Sequence, residues 1–201
     1  MPTWVFLRHG ESQANAERWL SGAVDTPLTS RGVEQASQAR EECLAWSFER
    51  AFSSDLSRAY DTAQIVLEGR SVSLTVSPKL QERSMGDWAH RSLDEVRSSG
   101  ESHLLTAWHQ APPGGESNAL LARRSLNYLA SLGDVDGPSL VVAHGGLIRV
   151  VLGLIDGLDY ERIGRVRIEN CDAIFRELPQ GGFADLLERH RPFLDKAGRL
   201  S

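Results

Sequence analysis

The segment Val5-Phe6-Leu7-Arg8-His9-Gly10-Glu11-Ser12 constrains this chain more than any other. An apolar run delivers an Arg-His pair into a glycine turn. The pattern returns 135 residues later, where Leu140-Val141-Val142-Ala143 leads into His144-Gly145-Gly146. A short, continuous apolar run bounded by a glycine turn fits a buried strand. Two such strands, each ending in a histidine followed by glycine, are placed to bring those histidines face to face. A strand end, a glycine turn and a helix start also make a good seat for an anion. Free backbone N–H groups point outward there, and the helix dipole favours negative charge.

The remaining elements follow from periodicity. Thr3 to Leu7 reads as the first buried strand. Thr29 or Ser30 is placed to cap a helix running to about Ala45, with Val33, Ala36, Arg40 and Cys43 or Leu44 at helical spacing. Ala51-Phe52-Ser53 reads as a second strand and Asp55 as the N-cap of a helix from Leu56 to Leu67. That helix shows the stripe Leu56, Ala59, Tyr60, Ala63, Val66 and Leu67. Val72 to Val76 alternates as a half-buried third strand. Glu116 to Leu132 reads as a helix, Ser139 to Ala143 as a central strand, and Leu147 to Ile155 as a helix apolar on nearly every side. Arg165 to Ile168, Ala173 to Leu178 and Phe183 to Leu187 read as strands, and the tail after Pro192 as mobile. Strands alternating with helices imply an α/β fold: a three-layer sandwich with a mostly parallel central sheet and helices on both faces. One domain spanning residues 1–201 is expected. Within it, residues 81–116 are polar and broken by Gly86, Gly100, Pro112-Pro113 and Gly114-Gly115. With short helices near 92–97 and 101–110, this segment reads as a lid-like insertion over the sheet, outside its core.

In such sheets, ligands bind beyond the carboxyl ends of the strands. Arg8 and His9 end the first strand, Ser53 and Ser54 the second, and His144 the one before the most apolar helix. A lone histidine at such a place reads as a solvated loop residue; three segments converging on one edge read better as a site. Arg58 adds to this. With Asp55 as N-cap, Arg58 lies in the first helical turn, where a cation opposes the dipole at a cost of a few tenths to roughly 1 kcal/mol. A bound anion would reverse that cost; an exposed arginine paired with Asp55 or Asp61 is the plainer alternative. Phosphate fits the set. It carries between one and two negative charges near neutrality, and arginine forks match its oxygens. A neutral imidazole can attack phosphorus while a second histidine steadies the transferred oxygens. No metal is expected, since these strand ends carry no HxxxH, cysteine cluster or DxD pair.

Composition sets the boundaries. The net charge is −5 with the charges interspersed, which argues against a nucleic-acid partner. The apolar fraction of 41% suffices for a sizeable core. The two cysteines, Cys43 and Cys171, stand outside any CxxC spacing and read as small core residues of a reduced, intracellular protein. No signal peptide and no apolar run of membrane-spanning length is evident, so no membrane association is expected and the cytoplasm is the expected location.

Taken together, these motifs make the chain resemble the histidine phosphatase superfamily, the phosphoglycerate mutase-like family. The matching segments are Leu7-Arg8-His9-Gly10-Glu11-Ser12 with Asn15, Asp25-Thr26-Pro27-Leu28-Thr29 with Gly32, and Ser53 to Ala59 followed by Thr62-Ala63. Leu80-Gln81-Glu82 with Gly86-Asp87-Trp88, Gly114-Gly115-Glu116-Ser117 and His144-Gly145-Gly146 complete them, in the family's order. The resemblance implies that His9 is the nucleophile that becomes phosphorylated. It implies that Arg8, Arg58 and His144 complete the phosphate pocket and that Glu82 protonates the leaving alcohol. Asn15, Ser21, Gly22 and Gly145 are implied as further substrate contacts. His90, where many relatives have glycine nearby, is a candidate substrate contact beside its plainer reading as a solvated loop residue.

The mutase branch holds a bisphosphate cofactor with a longer, basic insertion. Here residues 81–131 carry five arginines and no lysine against six acids, which favours hydrolysis. The expectation is a phosphomonoesterase that needs neither metal nor cofactor and acts on a small phosphorylated metabolite through phosphohistidine. A phosphoglycerate mutase is the alternative within the class, and a catalytically idle phospho-ligand binder the alternative outside it. Convergence of Arg83, Arg91, Arg123 and Arg124 over the site would favour the mutase.

Overall fold

The structure, a computed structural model, describes residues 1–134 and 136–196. β1 (Thr3–Arg8) is followed by a single helical turn α1 (Gln13–Ala16), α2 (Ser30–Glu42), β2 (Arg50–Ser53), α3 (Ser57–Leu67) and β3 (Leu74–Val76). Next come α4 (Leu93–Ser98), α5 (Asn118–Ser131), β4 (Pro138–Ala143), α6 (Gly145–Ile155), α7 (Tyr160–Ile163), β5 (Ala173–Glu177) and α8 (Gly182–Leu194). The sheet order is β3-β2-β4-β1-β5; β5 alone is antiparallel to its neighbour.

The apolar runs of β1 and β4 are continuous because each strand serves two layers. Trp4 and Phe6 point into one cluster with Leu126, Ile148 and Phe183, from α5, α6 and α8. Val5 and Leu7 point into the other, with Ala39 of α2 and Ala59, Ala63 and Val66 of α3. Val141 and Ala143 of β4 join the first, Leu140 and Val142 the second. With helices on both faces, parallel strands need no polar side, as the sequence pattern implied. The register sets Arg8 beside Ala143, so the next residues, His9 and His144, leave the sheet together.

Several elements differ from the sequence reading. Leu56, without a side-chain cap, precedes α3. The capping role given to Asp55 falls to the distant Asp25, whose Oδ1 accepts the Ser57 N–H at 2.8 Å. Asp55 instead accepts hydrogen bonds from Gln81. Tyr60 and Val33 are exposed, off the buried stripes. Residues 165–168 are irregular rather than a strand. Residues 183–187 belong to α8: Phe183, Leu186 and Leu194 keep helical spacing and are buried, and the helix continues through Pro192 to Leu194. The tail beyond it, residues 197–201, lies outside the described residues. Near 101–110 a 3₁₀ turn at Ser102–Leu105 replaces the expected helix. Cys43 is buried and Cys171 only partly so; both are free thiols.

Residues 81–116 are joined to the rest of the molecule at several points. Trp108 joins the α5–α6 core and stacks on Tyr160 at 4.5 Å. Trp88 and Val96 are buried. The segment is laced to the 18–22 loop: Leu20 N–H donates to Arg91 O, His90 N–H to Leu20 O, and Leu93 N–H to Arg18 O.

Candidate active site

A pocket of about 440 Å³ opens at the carboxyl ends of β1 and β4. Its floor carries Arg8 and His9 from β1, Arg58 from the first turn of α3, and Gly145 and Gly146 from the start of α6. Asn15, Ser21 and Gly22 form one side; Glu82, Arg83 and Met85 of the 81–116 segment form another. Arg8, His9, Asn15, Ser21, Gly22, Arg58, Glu82 and Gly145, nominated from sequence, therefore line it, whereas His144 is fully buried, its ring centroid 5.1 Å from that of His9.

The turn after β1 is fixed by several bonds. Gly10 N–H donates to Thr62 Oγ1, and Asn170 Nδ2 donates to His9 O. A Cβ on Gly10 would fall 2.3 Å from the Gly32 carbonyl oxygen, so both glycines permit this close approach of α2 to the turn. His9 Nδ1 lies 2.7 Å from the Gly10 carbonyl oxygen. A carbonyl only accepts, so Nδ1 carries the proton, and Nε2 of the neutral ring keeps its lone pair. Burial, with Arg8 and Arg58 close by, holds the His9 pKa well below the ordinary 6.5. His144 is pushed the same way by burial, then by Arg58, His9 and Arg8. Neither of its ring nitrogens has a hydrogen-bond partner among the described residues, and Arg8 Nε is likewise buried and unpaired.

The two arginines are aimed by backbone carbonyls. Arg8 Nη1 donates to Ile168 O at 2.6 Å. Arg58 is 1% exposed and donates to Gly22 O at 2.7 Å and Val24 O at 2.9 Å, with Asp25 3.9 Å away. It is thus neither exposed nor paired with Asp55 or Asp61. Burial lowers the pKa of both, and nearby Glu82 works against that. The serines of β2 contribute differently from expectation. Ser53 and Ser54 are buried in the turn into α3, where Ser54 Oγ accepts the Leu56 N–H. What this strand sends to the pocket is Arg58.

Glu82 is clamped: Oε1 accepts Arg83 N–H and Oε2 accepts Gly146 N–H, each at 2.8 Å. A Cβ at Gly146 would lie 2.3 Å from Glu82 Oε1, which makes glycine a condition of this approach. Asn15 Oδ1 accepts the Ser12 N–H in a capping box, which leaves its Nδ2 as the donor group. His90 stands apart from the pocket lining, stacked on Trp19, which does line it, at 4.9 Å. Among the described residues, no group of three or more His, Cys, Asp or Glu side chains is placed to hold a metal ion, and no helix is long and apolar enough to cross a membrane.

The four arginines whose convergence was at issue are divided. Only Arg83 lines the pocket. Arg91 lies over the Trp88 ring at 5.7 Å, Arg123 pairs with Asp195, and Arg124 holds Glu116 and the carbonyls of Lys79 and Gln81. Sequence reasoning named Arg83 only as one of these four, and missed Asn170 and Arg149 in or around the pocket. Arg149 did leave a signal: it is the one charged residue in the otherwise apolar run Leu147–Ile155.

The model of the histidine phosphatase superfamily (branch 1) matches residues 4–188. The chain is 33% identical over 175 residues to the adenosylcobalamin/alpha-ribazole phosphatase of Escherichia coli, covering 84% of this chain and 86% of that one. It is 32% identical over 199 residues to a 2,3-bisphosphoglycerate-dependent phosphoglycerate mutase of Gloeobacter violaceus, covering 93% and 91%. Among solved structures, a mycobacterial glucosyl-3-phosphoglycerate phosphatase complexed with VO3 superposes with a TM-score of 0.81 at 30% identity, over 87% of this chain and 92% of that one.

Proposed function

The chain belongs to the histidine phosphatase superfamily, and from that premise we propose that it is a phosphomonoesterase working through a phosphohistidine. The observation that carries this reading is the distribution of hydrogen bonds around His9. Its Nδ1 is tied to the Gly10 carbonyl, while two unpaired N–H donors lie close by: Arg8 Nε and the one N–H of the neutral His144 ring. Buried polar groups without partners are costly, and a tetrahedral anion over Nε2 would satisfy them.

In the first step the Nε2 lone pair attacks phosphorus and the bond from phosphorus to the ester oxygen breaks. That oxygen leaves with the proton of the Glu82 carboxyl group. Arg8 and Arg58 neutralise the transferring group and His144 donates a hydrogen bond to it, with Asn15, Ser21, Gly22 and Gly145 as further contacts. Glu82, now a carboxylate, takes a proton from water as the water oxygen attacks phosphorus. The P–Nε2 bond breaks, inorganic phosphate leaves, and both groups return to their starting states. Residues 1–201 are taken as one domain, with 81–116 as the lid through Glu82. The substrate is a small phosphorylated metabolite.

The mutase reading has support of its own, in the likeness to a phosphoglycerate mutase. Hydrolysis is preferred because Arg91, Arg123 and Arg124 are committed elsewhere, which leaves the lid without a clustered bisphosphate clamp. Two assays separate the readings. With a chelator present, the protein releases phosphate from p-nitrophenyl phosphate, and without 2,3-bisphosphoglycerate it converts little 3-phosphoglycerate to the 2-isomer. Efficient isomerisation strictly dependent on the bisphosphate, with only a trace of phosphate release, makes it a mutase. Phosphate binding with no turnover of any ester makes it a binder.

A further inference from the structure

Residues 168–172 carry no motif in the sequence, yet they close around Arg8 and His9. Ile168 O accepts from Arg8 Nη1 at 2.6 Å, and Asn170 Nδ2 donates to His9 O at 2.8 Å. Cys171 N–H donates to Arg8 O at 3.0 Å, and Arg8 N–H donates to Asp172 O at 3.3 Å. Cys171 holds a positive φ of 57°, one of three non-glycine residues to do so among the described residues. That conformation is strained for a residue with a side chain and persists only where surrounding bonds demand it. Here the bonds on either side, from Asn170 to His9 and from Cys171 to Arg8, supply the demand.

The direction of these bonds fixes more than position. His9 O only accepts, so Asn170 turns its amide nitrogen toward it. The second hydrogen of that same Nδ2 goes to Asn15 Oδ1, 3.3 Å away. Ser12 N–H, another donor, lies 3.2 Å from the same oxygen. Faced by two donors, Asn15 has to present its oxygen to them, which leaves its own Nδ2 for the pocket it lines. A flipped Asn15 would set N–H against N–H twice and offer an acceptor to the pocket instead. One amide therefore sets the sense of another. The carbonyl of His9 orients Asn170, and Asn170 orients Asn15.

We propose that Asn170 is a positioning residue: its one amide nitrogen anchors the His9 backbone and holds Asn15 with its N–H donors toward the transferring phosphoryl group. The inference rests on the phosphatase reading and deepens it. Asn170 stands outside the pocket lining, so its effect is carried by Asn15 and His9. Donors held in place stabilise a transition state because they need not turn as charge develops, and an Asn15 free to flip loses that advantage.

A double-mutant cycle on p-nitrophenyl phosphate tests this. Asn170→Ala alone should lower kcat/KM by about five- to tenfold, the scale of one hydrogen bond. In the Asn15→Ala background, with no amide left to orient, the same change should cost less than about threefold. A merely structural role gives equal losses in both backgrounds. The side-chain amide of Asn15 is the second readout. Its ¹H–¹⁵N signals, identified by their loss in Asn15→Ala, should shift when the wild-type protein is saturated with vanadate. Asn170→Ala should abolish most of that shift. Equal losses in the two backgrounds overturn the positioning role and leave the phosphatase reading standing. So does an Asn15 amide that vanadate leaves unmoved in the wild-type protein, or one that it shifts undiminished in Asn170→Ala. If Asn170→Ala does not fold, Asn170→Asp, which keeps the shape and removes the donor, takes its place in the cycle. Absence of turnover on every ester, p-nitrophenyl phosphate included, overturns the phosphatase reading and the part of Asn170 in it.

Discussion

The turns that follow β1 and β4 are nearly the same in sequence and differ in what their histidines are tied to. Both strands have an apolar core, β1 closing on Arg8 and β4 on Ala143, both are followed by a histidine and a glycine, and the register brings the two histidines out side by side. His9 lines the pocket with Nδ1 bound to its own Gly10 carbonyl. His144 is sealed behind it with neither nitrogen bound. The next backbone groups diverge as well. Gly10 N–H is spent on Thr62, inside the scaffold, whereas Gly146 N–H holds Glu82. One turn thus fixes a tautomer and presents a lone pair. The other leaves its ring free to donate and positions a carboxyl group. Similar sequence is given different partners, and under the proposed function that asymmetry makes His9 the nucleophile and His144 the helper.

Substitutions can break this comparison, and the largest effect is expected at His9. His9→Ala should lower kcat by roughly 10⁴- to 10⁶-fold in a folded protein, as loss of a nucleophile does. His144→Ala, which removes one stabilising donor, should cost about 10²- to 10³-fold in kcat. Arg58→Ala should cost about 2.7–4 kcal/mol in transition-state binding and weaken inhibition by vanadate. Steady-state kinetics on one substrate compare all three. Equal losses at His9 and His144 would erase the asymmetry, and an inert Arg58→Ala would place the phosphate elsewhere.

Glu82→Gln sharpens the role of the second turn. An alkoxide needs a proton on leaving and a nitrophenolate scarcely does. The variant should therefore lose far more activity on alkyl phosphates than on p-nitrophenyl phosphate. Equal losses on both would move the acid elsewhere.

The smallest effect is in stability. His9 and His144 are both held neutral when folded, their pKa values pushed well below 6.5. As pH falls below that value the unfolded chain takes up protons that the folded protein refuses, so stability present above about pH 6.5 is lost on acidification. Each histidine contributes up to about 1.4 kcal/mol per pH unit to the slope. Urea unfolding between pH 5 and 8 should show this slope in the ligand-free protein and a shallower one in His144→Asn. A flat profile would mean that the rings take up protons as readily in the folded protein as in the unfolded chain.

How much of this was legible in the sequence depended on whether the cause was local. β1 and β4 were legible because burial on two faces leaves a continuous apolar run. Arg8, His9 and His144 were legible because a strand end fixes where they emerge. The cap of α3 was not, since Asp25 reaches it from a loop 32 residues away. The region after Leu178 was misread because a window of five residues holds too little of a helical period; Leu194 completes the stripe. The role of Ser53 and Ser54 was misread because the turn consumed their hydroxyl groups. The lid's tie to the core runs through Trp108, whose partner Tyr160 lies far along the chain. The cations of the lid could be counted but not aimed: Arg123 and Arg124 turn to acids that only folding brings near. Arg149 was open to notice, as a charge inside an apolar helix.

The most direct test of the account is the identity of the phosphorylated atom. Enzyme stopped during turnover should carry acid-labile, base-stable phosphate, located by mass spectrometry and by ³¹P–¹⁵N NMR. The account predicts the phosphate on His9 alone and on Nε2, because Nδ1 is committed to the Gly10 carbonyl. It predicts the same adduct, formed more slowly, in His144→Ala. Phosphate on His144, or on Nδ1 of His9, would contradict it.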